Sequence, residues 1–410
     1  MGFLRRRLVT AALTANAIRP PHGARTGALA FPAGWLAGEL APHLAALTAA
    51  DTALALARGR AGRGGLAVAA GTALGLGYLV QLSRSAGQVL DRALDESLGP
   101  DYVDHLGPEH SPADLVTPWR SLVNPFDLAD PRARVDRDLG YNDAGRRGLL
   151  DVYRPADREL TKAPVLLQVH GGGWVLGNKN EQGIPLMQHM ALRGWVSVGI
   201  NYRLAGRDPF PAQIVDVKRA IVWVKDHIAE YGGDPDHIVI TGGSAGGHLA
   251  ALAALTPGDP AYQPGFEDRD TSVQACVPHY GVYDLAGSTG LPSAVRMRDE
   301  YVAPYLMHRT WADDPELFEA ASPVLRIGPD APDFFVIHGA HDSLVPVEQA
   351  RLFVTRLRAT SRNRVVYAEL PGAQHAFDVF PSIRSARVVR AIDRFLTWQL
   401  STRRPEVATS

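Results

Sequence analysis

The chain has 410 residues, which exceeds one typical domain and is enough for a large α/β domain with an extension. Its 42 Lys and Arg residues balance 43 Asp and Glu residues, so no bulk charge attracts nucleic acid or acidic ligands, and nucleic-acid partners are disfavoured. The single cysteine, Cys276, excludes an internal disulfide and a cysteine-based metal cluster.

The first 110 residues (1–110) are predicted to form a hydrophobic, mainly helical region. Residues 1–25 combine a basic start with a short apolar run, which resembles a secretory signal, but an amphipathic first helix is the preferred interpretation. Residues 26–50 are rich in Ala and Leu, and residues 64–83 carry no charged side chain, a length that can span a bilayer. Residues 26–83 are therefore expected either to contact a membrane or to pack on a soluble body. The expected location is membrane-associated or cytoplasmic rather than secreted.

The segment that follows is rich in proline and aspartate from residue 98 to residue 136. Such composition is typical of a connecting segment, so residues 111–137 are predicted to be a linker or a lid. A catalytic domain is then expected at residues 138–402, and a short tail at residues 403–410.

The pattern of the catalytic domain alternates between short apolar runs and helical spacing. Strands are predicted at residues 149–155, 164–170, 195–201, 237–241, 275–280, 333–338 and 365–370, and helices at residues 214–229, 248–255 and 385–400. Strands that alternate with helices predict an α/β fold with a mostly parallel central sheet and helices on both faces.

A serine with glycine on either side lies between a predicted strand and a predicted helix. Gly242, Ser244 and Gly246 form the pattern Gly-x-Ser-x-Gly, which is typical of a nucleophile elbow. A sharp strand-to-helix turn brings the backbone close to the serine, and glycine avoids a Cβ clash there. A plain glycine-rich turn is the alternative, and other parts of the chain must decide between them.

A second glycine-rich segment follows the predicted strand 164–170, where active sites of parallel sheets are expected. Gly171, Gly172 and Gly173 allow the backbone to turn so that its N–H groups face one point. Together with the N–H of Ala245 they are expected to form an oxyanion hole. A phosphate-binding loop is the alternative, but the spacing fits neither a P-loop nor a dinucleotide fingerprint.

Two further strands are followed by residues suited to acid–base chemistry. Asp342 comes after the strand 333–338, and His375 comes after the strand 365–370. The histidine is the candidate base for Ser244, and the aspartate is the candidate that orients it. Asp333 and Glu348 are alternative acids, but neither follows its strand as closely.

Several motifs occur in an order that resembles the hormone-sensitive-lipase-type branch of the α/β-hydrolases. They are His170-Gly171-Gly172-Gly173-Trp174, Asn201-Tyr202-Arg203-Leu204, Gly232-Gly233-Asp234-Pro235-Asp236, residues 242–247, His338-Gly339-Ala340-His341-Asp342 and Gly372-Ala373-Gln374-His375-Ala376-Phe377. The resemblance covers residues 140 to 400. Within this branch, the chain resembles most the actinobacterial lipases and esterases with an N-terminal extension.

This resemblance implies an α/β-hydrolase fold and hydrolysis of carboxylic esters, in small molecules or lipids, through an acyl-enzyme. The implied triad is Ser244, Asp342 and His375, and the implied oxyanion donors are the N–H groups of Gly172, Gly173 and Ala245. No metal or organic cofactor is implied.

Three other functions remain open at the level of sequence. An amide hydrolase, such as a formamidase or peptidase, would use the same triad. A ligand-binding protein on a hydrolase scaffold is disfavoured because Ser244, Asp342 and His375 are all present. A membrane-anchored scaffold is disfavoured for the same reason. The acyl-chain length and the oligomeric state are not predicted.

Overall fold

The computed structural model describes residues 1–21, 24–110 and 119–403. Most of the predicted tail (residues 404–410) and the first part of the predicted linker (residues 111–118) lie outside the described residues. Within these ranges, eight strands form one sheet in the order β1-β2-β4-β3-β5-β6-β7-β8. They are β1 (Ala133–Gly140), β2 (Leu149–Pro155), β3 (Ala163–Val169), β4 (Val196–Ile200), β5 (Gly233–Gly243), β6 (Ala275–His279), β7 (Asp333–Gly339) and β8 (Val365–Leu370).

The sheet is mostly parallel, as predicted. Strand β2 pairs antiparallel with β1 and with β4, and all pairs from β4 to β8 are parallel. All seven residues of β3 are buried, because a parallel sheet is covered on both faces. The covering helices are α6 (Ile184–Leu192), α7 (Ala212–His227), α8 (Ala245–Leu255), α11 (Glu348–Thr360) and α12 (Ile383–Arg403). The predicted α/β-hydrolase architecture is confirmed.

Between β6 and β7 the chain forms a helical insertion. It contains α9 (Pro292–Met297), a π-helical segment (Arg298–Met307) and α10 (Pro315–Ala320). A proline inside the π-helical segment, Pro304, has no backbone N–H to donate.

The structure differs from the sequence prediction at several element boundaries. Strand β1 begins at Ala133, inside the predicted linker 111–137. Its residues alternate between charged and apolar, and most are partly or fully exposed at the edge of the sheet, so no apolar run marked it. Strand β5 begins at Gly233 rather than residue 237, and α12 extends to Arg403, past the predicted domain end at residue 402.

The N-terminal region consists of helices α1 (Phe3–Ile18), α2 (Ala24–Glu39), α3 (Ala41–Ala57) and α4 (Arg63–Leu98), and a short helix, α5 (Trp119–Val123), follows. The buried Arg7 of α1 pairs with Asp51 of α3 at 3.0 Å. The basic face of α1 is therefore used in part within the region itself.

The last turns of α4 belong to the core of the catalytic domain. Ala86, Leu90 and Leu94 are buried in one cluster with Val366 of β8 and Leu396 of α12. Nearer its start, α4 packs instead against α1 and α3, where Ala69 is buried with Phe3 and Ala55. Helix α4 thus joins the N-terminal region to the sheet by burying apolar side chains. Each Å² of apolar surface removed from water stabilises the fold by about 25 cal/mol.

A second connection is a buried ion pair between α2 and α12. The guanidinium of Arg384 donates to Glu39, and both side chains are almost completely buried. The hydroxyl of Ser382 also donates to Glu39, at 2.6 Å. These contacts hold the end of α2 against the start of α12.

Helix α4 is long and apolar enough, by length and composition, to cross a membrane. The segments Thr26–Glu39 and Ala41–Ala57, which meet at an angle of 78°, pass the same test when counted as one bent span. The apolar window of α4 is 28% buried, and the contacts of α4 with the catalytic core lie further along the helix, from Ala86 to Leu98.

Candidate active site

Ser244 lies at a sharp turn between β5 and α8. Its backbone has φ 58° and ψ −122°, which is strained for a residue other than glycine and is typical of functional sites. A Cβ on Gly246 would lie 2.1 Å from the carbonyl oxygen of Val169, and a Cβ on Gly242 would lie 2.6 Å from the carbonyl of Gly246. Glycine is therefore required at both positions, as the sequence pattern predicted.

Asp342 and His375 lie on the loops that follow β7 and β8, and the structure brings them together. The Nδ1 of His375 lies 2.7 Å from Oδ2 of Asp342. The other carboxylate oxygen accepts the N–H groups of Leu344 at 2.9 Å and Val345 at 2.8 Å. Because Nδ1 is bound to Asp342, Nε2 is the ring nitrogen that remains for proton transfer. His375 and Ser244 line the same cavity.

The surroundings of Asp342 favour its charged form. Burial alone would raise the pKa of this carboxyl group, but the positive charge of His375 and hydrogen bonds from His338 and His375 hold the pKa well below its usual range. The Nε2 of His338 lies 3.2 Å from Oδ2 of Asp342 and 2.8 Å from the carbonyl of Val345. Asp342 is thus an anion that can stabilise an imidazolium.

The alternative acids lie elsewhere. Asp333 begins β7, at the opposite end of the strand from Asp342, and it binds the guanidinium of Arg403 at 3.0 Å. Glu348 begins α11 on the surface and lies 3.8 Å from Arg351.

The glycine-rich loop after β3 borders the cavity beside Ser244. Gly172 and Gly173 have φ values of 113° and 58°, which favour glycine. The N–H of Gly171 is already bound to Oε1 of Gln182 at 2.7 Å. Gly172 and Gly173 line the cavity. Ala245 is the first residue of α8, where N–H groups have no acceptor within the helix.

Trp174 connects this loop to the helix that follows the nucleophile. Its Nε1–H donates to Nδ1 of His248 at 3.1 Å, and Nε2 of His248 lies 2.8 Å from the carbonyl of Ala321. Nδ1 therefore accepts and Nε2 carries the proton, which is the neutral form of the ring. Burial lowers the pKa of His248 to about 4, in agreement with that form.

The cavity has a volume of about 520 Å³, which is within the range of pockets for small ligands. The helical insertion supplies Met297 and Tyr301 to one wall, and helix α2 supplies Ala28 and Phe31 to another. The contact of α2 with the site could not be predicted from the sequence, because the Ala- and Leu-rich pattern of this helix carries no chemical motif.

Tyr280, directly after β6, contacts the candidate base. Its ring centre lies 4.6 Å from that of His375, and its φ is 36°. Its hydroxyl donates to Asp378, whose other oxygen lies 2.5 Å from Nδ1 of His279. The sequence analysis did not place Asp378 near the site. Its position three residues after His375 was the one feature of the sequence that indicated this placement.

Comparison with known proteins gives the family. A family model described as BD-FAE matches residues 150–357. The protein named "Probable carboxylic ester hydrolase LipM" of Mycobacterium tuberculosis is 47% identical over 402 residues, which are 95% of this chain and 91% of LipM. The chain belongs to the BD-FAE family, in the esterase/lipase branch of the α/β-hydrolases.

This esterase is also similar to Esterase LipQ of the same organism, with 42% identity over 88% of this chain and 84% of LipQ. Among solved structures, a thermophilic esterase of Thermogutta terrifontis with butyrate bound is 29% identical and has a TM-score of 0.54. The match covers 66% of this chain and 94% of that one. The predicted class of enzyme, a carboxylic ester hydrolase, is confirmed.

Proposed function

We propose that this esterase cleaves carboxylic esters through a covalent acyl-enzyme on Ser244. His375 is the general base and acid, and Asp342 orients it. The observation that carries the proposal is the 2.7 Å contact between Nδ1 of His375 and Asp342 at a cavity that Ser244 also lines.

The reaction follows from these positions. Nε2 of His375 takes the proton of Ser244 while Oγ attacks the ester carbonyl carbon. The carbonyl electrons move to oxygen, where the N–H groups of Gly172, Gly173 and Ala245 stabilise the negative charge. Collapse breaks the bond to the alcohol oxygen, which takes the proton from His375. Water then repeats these steps on the acyl-enzyme and releases the acid.

Replacement of the nucleophile tests the proposal. Ser244→Ala is expected to lower kcat for p-nitrophenyl butyrate at least about 10⁴-fold, because no oxygen remains to form the acyl-enzyme. Ser401→Ala, at an exposed serine near the end of α12, is the matched control and should keep full activity. A Ser244→Ala enzyme with most of its activity, and an unchanged fold by circular dichroism, would show that another group is the nucleophile.

An amide hydrolase would use the same site. Because an anilide has a poorer leaving group than the matching ester, the comparison of p-nitrophenyl butyrate with butyryl-p-nitroanilide measures the preference. We expect ester hydrolysis to be faster by orders of magnitude. An anilide rate close to that of the ester would favour the amide hydrolase.

We also propose that the N-terminal helices contact a lipid surface without crossing it. Large apolar side chains are exposed at Leu29 (83%), Leu47 (65%), Leu74 (78%) and Tyr78 (52%). Arginines 58, 60 and 63 are exposed around the turn between α3 and α4, where they would meet anionic headgroups. The last turns of α4 are buried in the catalytic core, and Ala69 and Leu76 nearer its start are buried against α1 and α3, which favours peripheral contact over a span.

Flotation with lipid vesicles tests this contact. The full chain should float with vesicles that contain anionic lipid, and the double variant Leu47→Glu/Leu74→Glu should not. Leu325→Glu, at a leucine of the catalytic domain that is 40% exposed, is the control and should float like the unmodified chain. Equal behaviour of all three proteins would exclude a lipid surface at these helices.

A further inference from the structure

We infer that helix α2 forms one wall of a binding site for the alcohol part of the ester, that Phe31 determines which alcohols fit, and that the site takes apolar alcohols. This inference rests on the acyl-enzyme mechanism proposed above. It concerns a segment that precedes Ser244 by more than 200 residues in the chain.

Helix α2 presents two side chains to the cavity. Ala28 and Phe31 are three residues apart, so they lie on one face of the helix, and both line the cavity. The ring of Phe31 meets the ring of His375 edge-on, with centres 5.8 Å apart and planes at 79°. Leu29, on another face of the same helix, is exposed. One helix therefore separates the site from solvent here.

The position of α2 is fixed by close contacts beside the catalytic loop. The hydroxyl of Ser343, next to Asp342, donates to the carbonyl of Gly27 at 3.2 Å. A Cβ on Gly27 would lie 2.6 Å from the carbonyl oxygen of Ser343, so the two backbones are in direct contact. Phe31 in turn stacks on Trp35, with ring centres 5.7 Å apart. Phe31 is thus held rather than free to move aside.

The chemistry of the reaction places the alcohol beside Phe31. The proton on Nε2 of His375 goes to the alcohol oxygen, which must come within about 3 Å of that nitrogen. The first carbons of the alcohol therefore lie next to the imidazole, and Phe31 packs against this ring inside the cavity.

The acyl part is expected on the other side. The carbonyl oxygen of the ester faces Gly172 and Gly173, and the hydroxyl of Tyr301 donates to the carbonyl of Gly173 at 3.3 Å. Tyr301 belongs to the helical insertion, as does Met297, which also lines the cavity. The insertion thus bounds the acyl side, and α2 bounds the alcohol side.

The side chains on the α2 wall indicate the class of alcohol. Ala28 and Phe31 of α2 are apolar, as are Leu344 and Ala376 on the neighbouring loops after β7 and β8. The hydroxyl of Ser343, which also lines the cavity, is already bound to Gly27. The charged residues that line the cavity, Arg296 and Glu300, belong to the insertion. A charged alcohol would lose water at the α2 wall without gaining a polar partner from it. Uncharged alkyl or aryl alcohols are therefore favoured.

Two series of esters test the α2 wall and the insertion wall independently. The first keeps a butyryl group and varies the alcohol from methyl to butyl, cyclohexyl and benzyl, and the second keeps methanol and varies the acyl chain. Phe31→Ala should change the kcat/KM ratio of cyclohexyl to methyl butyrate by about tenfold or more and leave the acyl-series ratios within about twofold. Met297→Ala, from the opposite wall, should change the ratios of the acyl series by about tenfold or more and leave the ratios of the alcohol series within about twofold.

A change confined to the acyl series in Phe31→Ala, or an equal change in both series, would overturn the inference. Phe31→Leu keeps an apolar side chain and should show a smaller shift in the same series, which provides a second measurement if the alanine variant does not fold. Failure of the acyl-enzyme mechanism is seen separately, as esterase activity that survives in Ser244→Ala.

A pair of esters with the same shape tests the class of alcohol. Acetylcholine and 3,3-dimethylbutyl acetate differ in one charged nitrogen, so they compare charge at constant size. The unmodified enzyme should prefer the uncharged ester by about tenfold or more in kcat/KM. A preference for acetylcholine would contradict the apolar class.

Discussion

His375 is fixed on three sides by groups from distant parts of the chain. Asp342 holds Nδ1, the ring of Tyr280 lies 4.6 Å away, and the ring of Phe31 lies 5.8 Å away. Tyr280 is itself tied through Asp378, which belongs to the same loop as His375. The orientation of the imidazole is thus set before substrate binds, which lowers the cost of reaching the transition state.

At this scale we predict the effect of removing one charge. Asp342→Asn should lower kcat about 10⁴-fold, because the imidazole loses the anion that selects its tautomer and stabilises its cation. The measurement is steady-state hydrolysis of p-nitrophenyl butyrate at pH 7 to 8.

Asp333→Asn is the control, since Asp333 is also buried and was the competing acid in the sequence. It should alter stability through Arg403 and leave kcat within a few-fold. Loss of kcat in Asp333→Asn but not in Asp342→Asn would reverse the assignment of the acid.

At the scale of elements, α8 and the glycine-rich loop are joined by the bond between Trp174 and His248. His248 must be neutral to accept this bond, and its pKa in the fold is about 4, against about 6.5 for an exposed histidine. The unfolded chain therefore binds the proton first as the pH falls. Stability from this group is complete above about pH 6.5 and is lost progressively down to pH 4.

We predict that the free energy of unfolding falls by up to about 3 kcal/mol from this group between pH 6.5 and pH 4. Urea unfolding at several pH values in this window measures it. His248→Gln should show a smaller fall than the unmodified chain. The fall that remains includes the contribution of His170, because burial also lowers the pKa of His170 to about 4. Identical pH dependence in the two proteins would show that protonation of His248 does not limit stability.

At the scale of the whole molecule, the N-terminal region and the catalytic domain are held together by buried contacts. Glu39→Gln should lower the free energy of unfolding by about 3–5 kcal/mol, because the buried guanidinium of Arg384 loses its anion. Denaturant unfolding followed by fluorescence measures this change.

The control is Glu369→Gln, which removes the carboxylate of a partly exposed pair with Arg351. Such pairs contribute about 0–1 kcal/mol, so the control should change little. If the two variants lose the same stability, the pair between α2 and α12 is not an important connection.

Features with local causes could be predicted from the sequence, whereas contacts between distant segments could not. The elbow at Ser244 was predictable because its steric requirement for glycine is local, and Asp342 and His375 were predictable because each follows a strand of a parallel sheet. Phe31 and the pair of Glu39 with Arg384 were not, since both depend on α2 folding against segments more than 300 residues away. Strand β1 was missed because its charged edge has no apolar run.

The central claim, a covalent acyl-enzyme on Ser244, is tested most directly by the mass of the protein after reaction with p-nitrophenyl butylphosphonate, which mimics the tetrahedral intermediate. We predict one phosphonyl group for each chain, on the peptide that contains Ser244, with activity lost in proportion to labelling and no labelling in Ser244→Ala. Labelling of another residue with loss of activity, or full activity after Ser244 is labelled, would contradict the account.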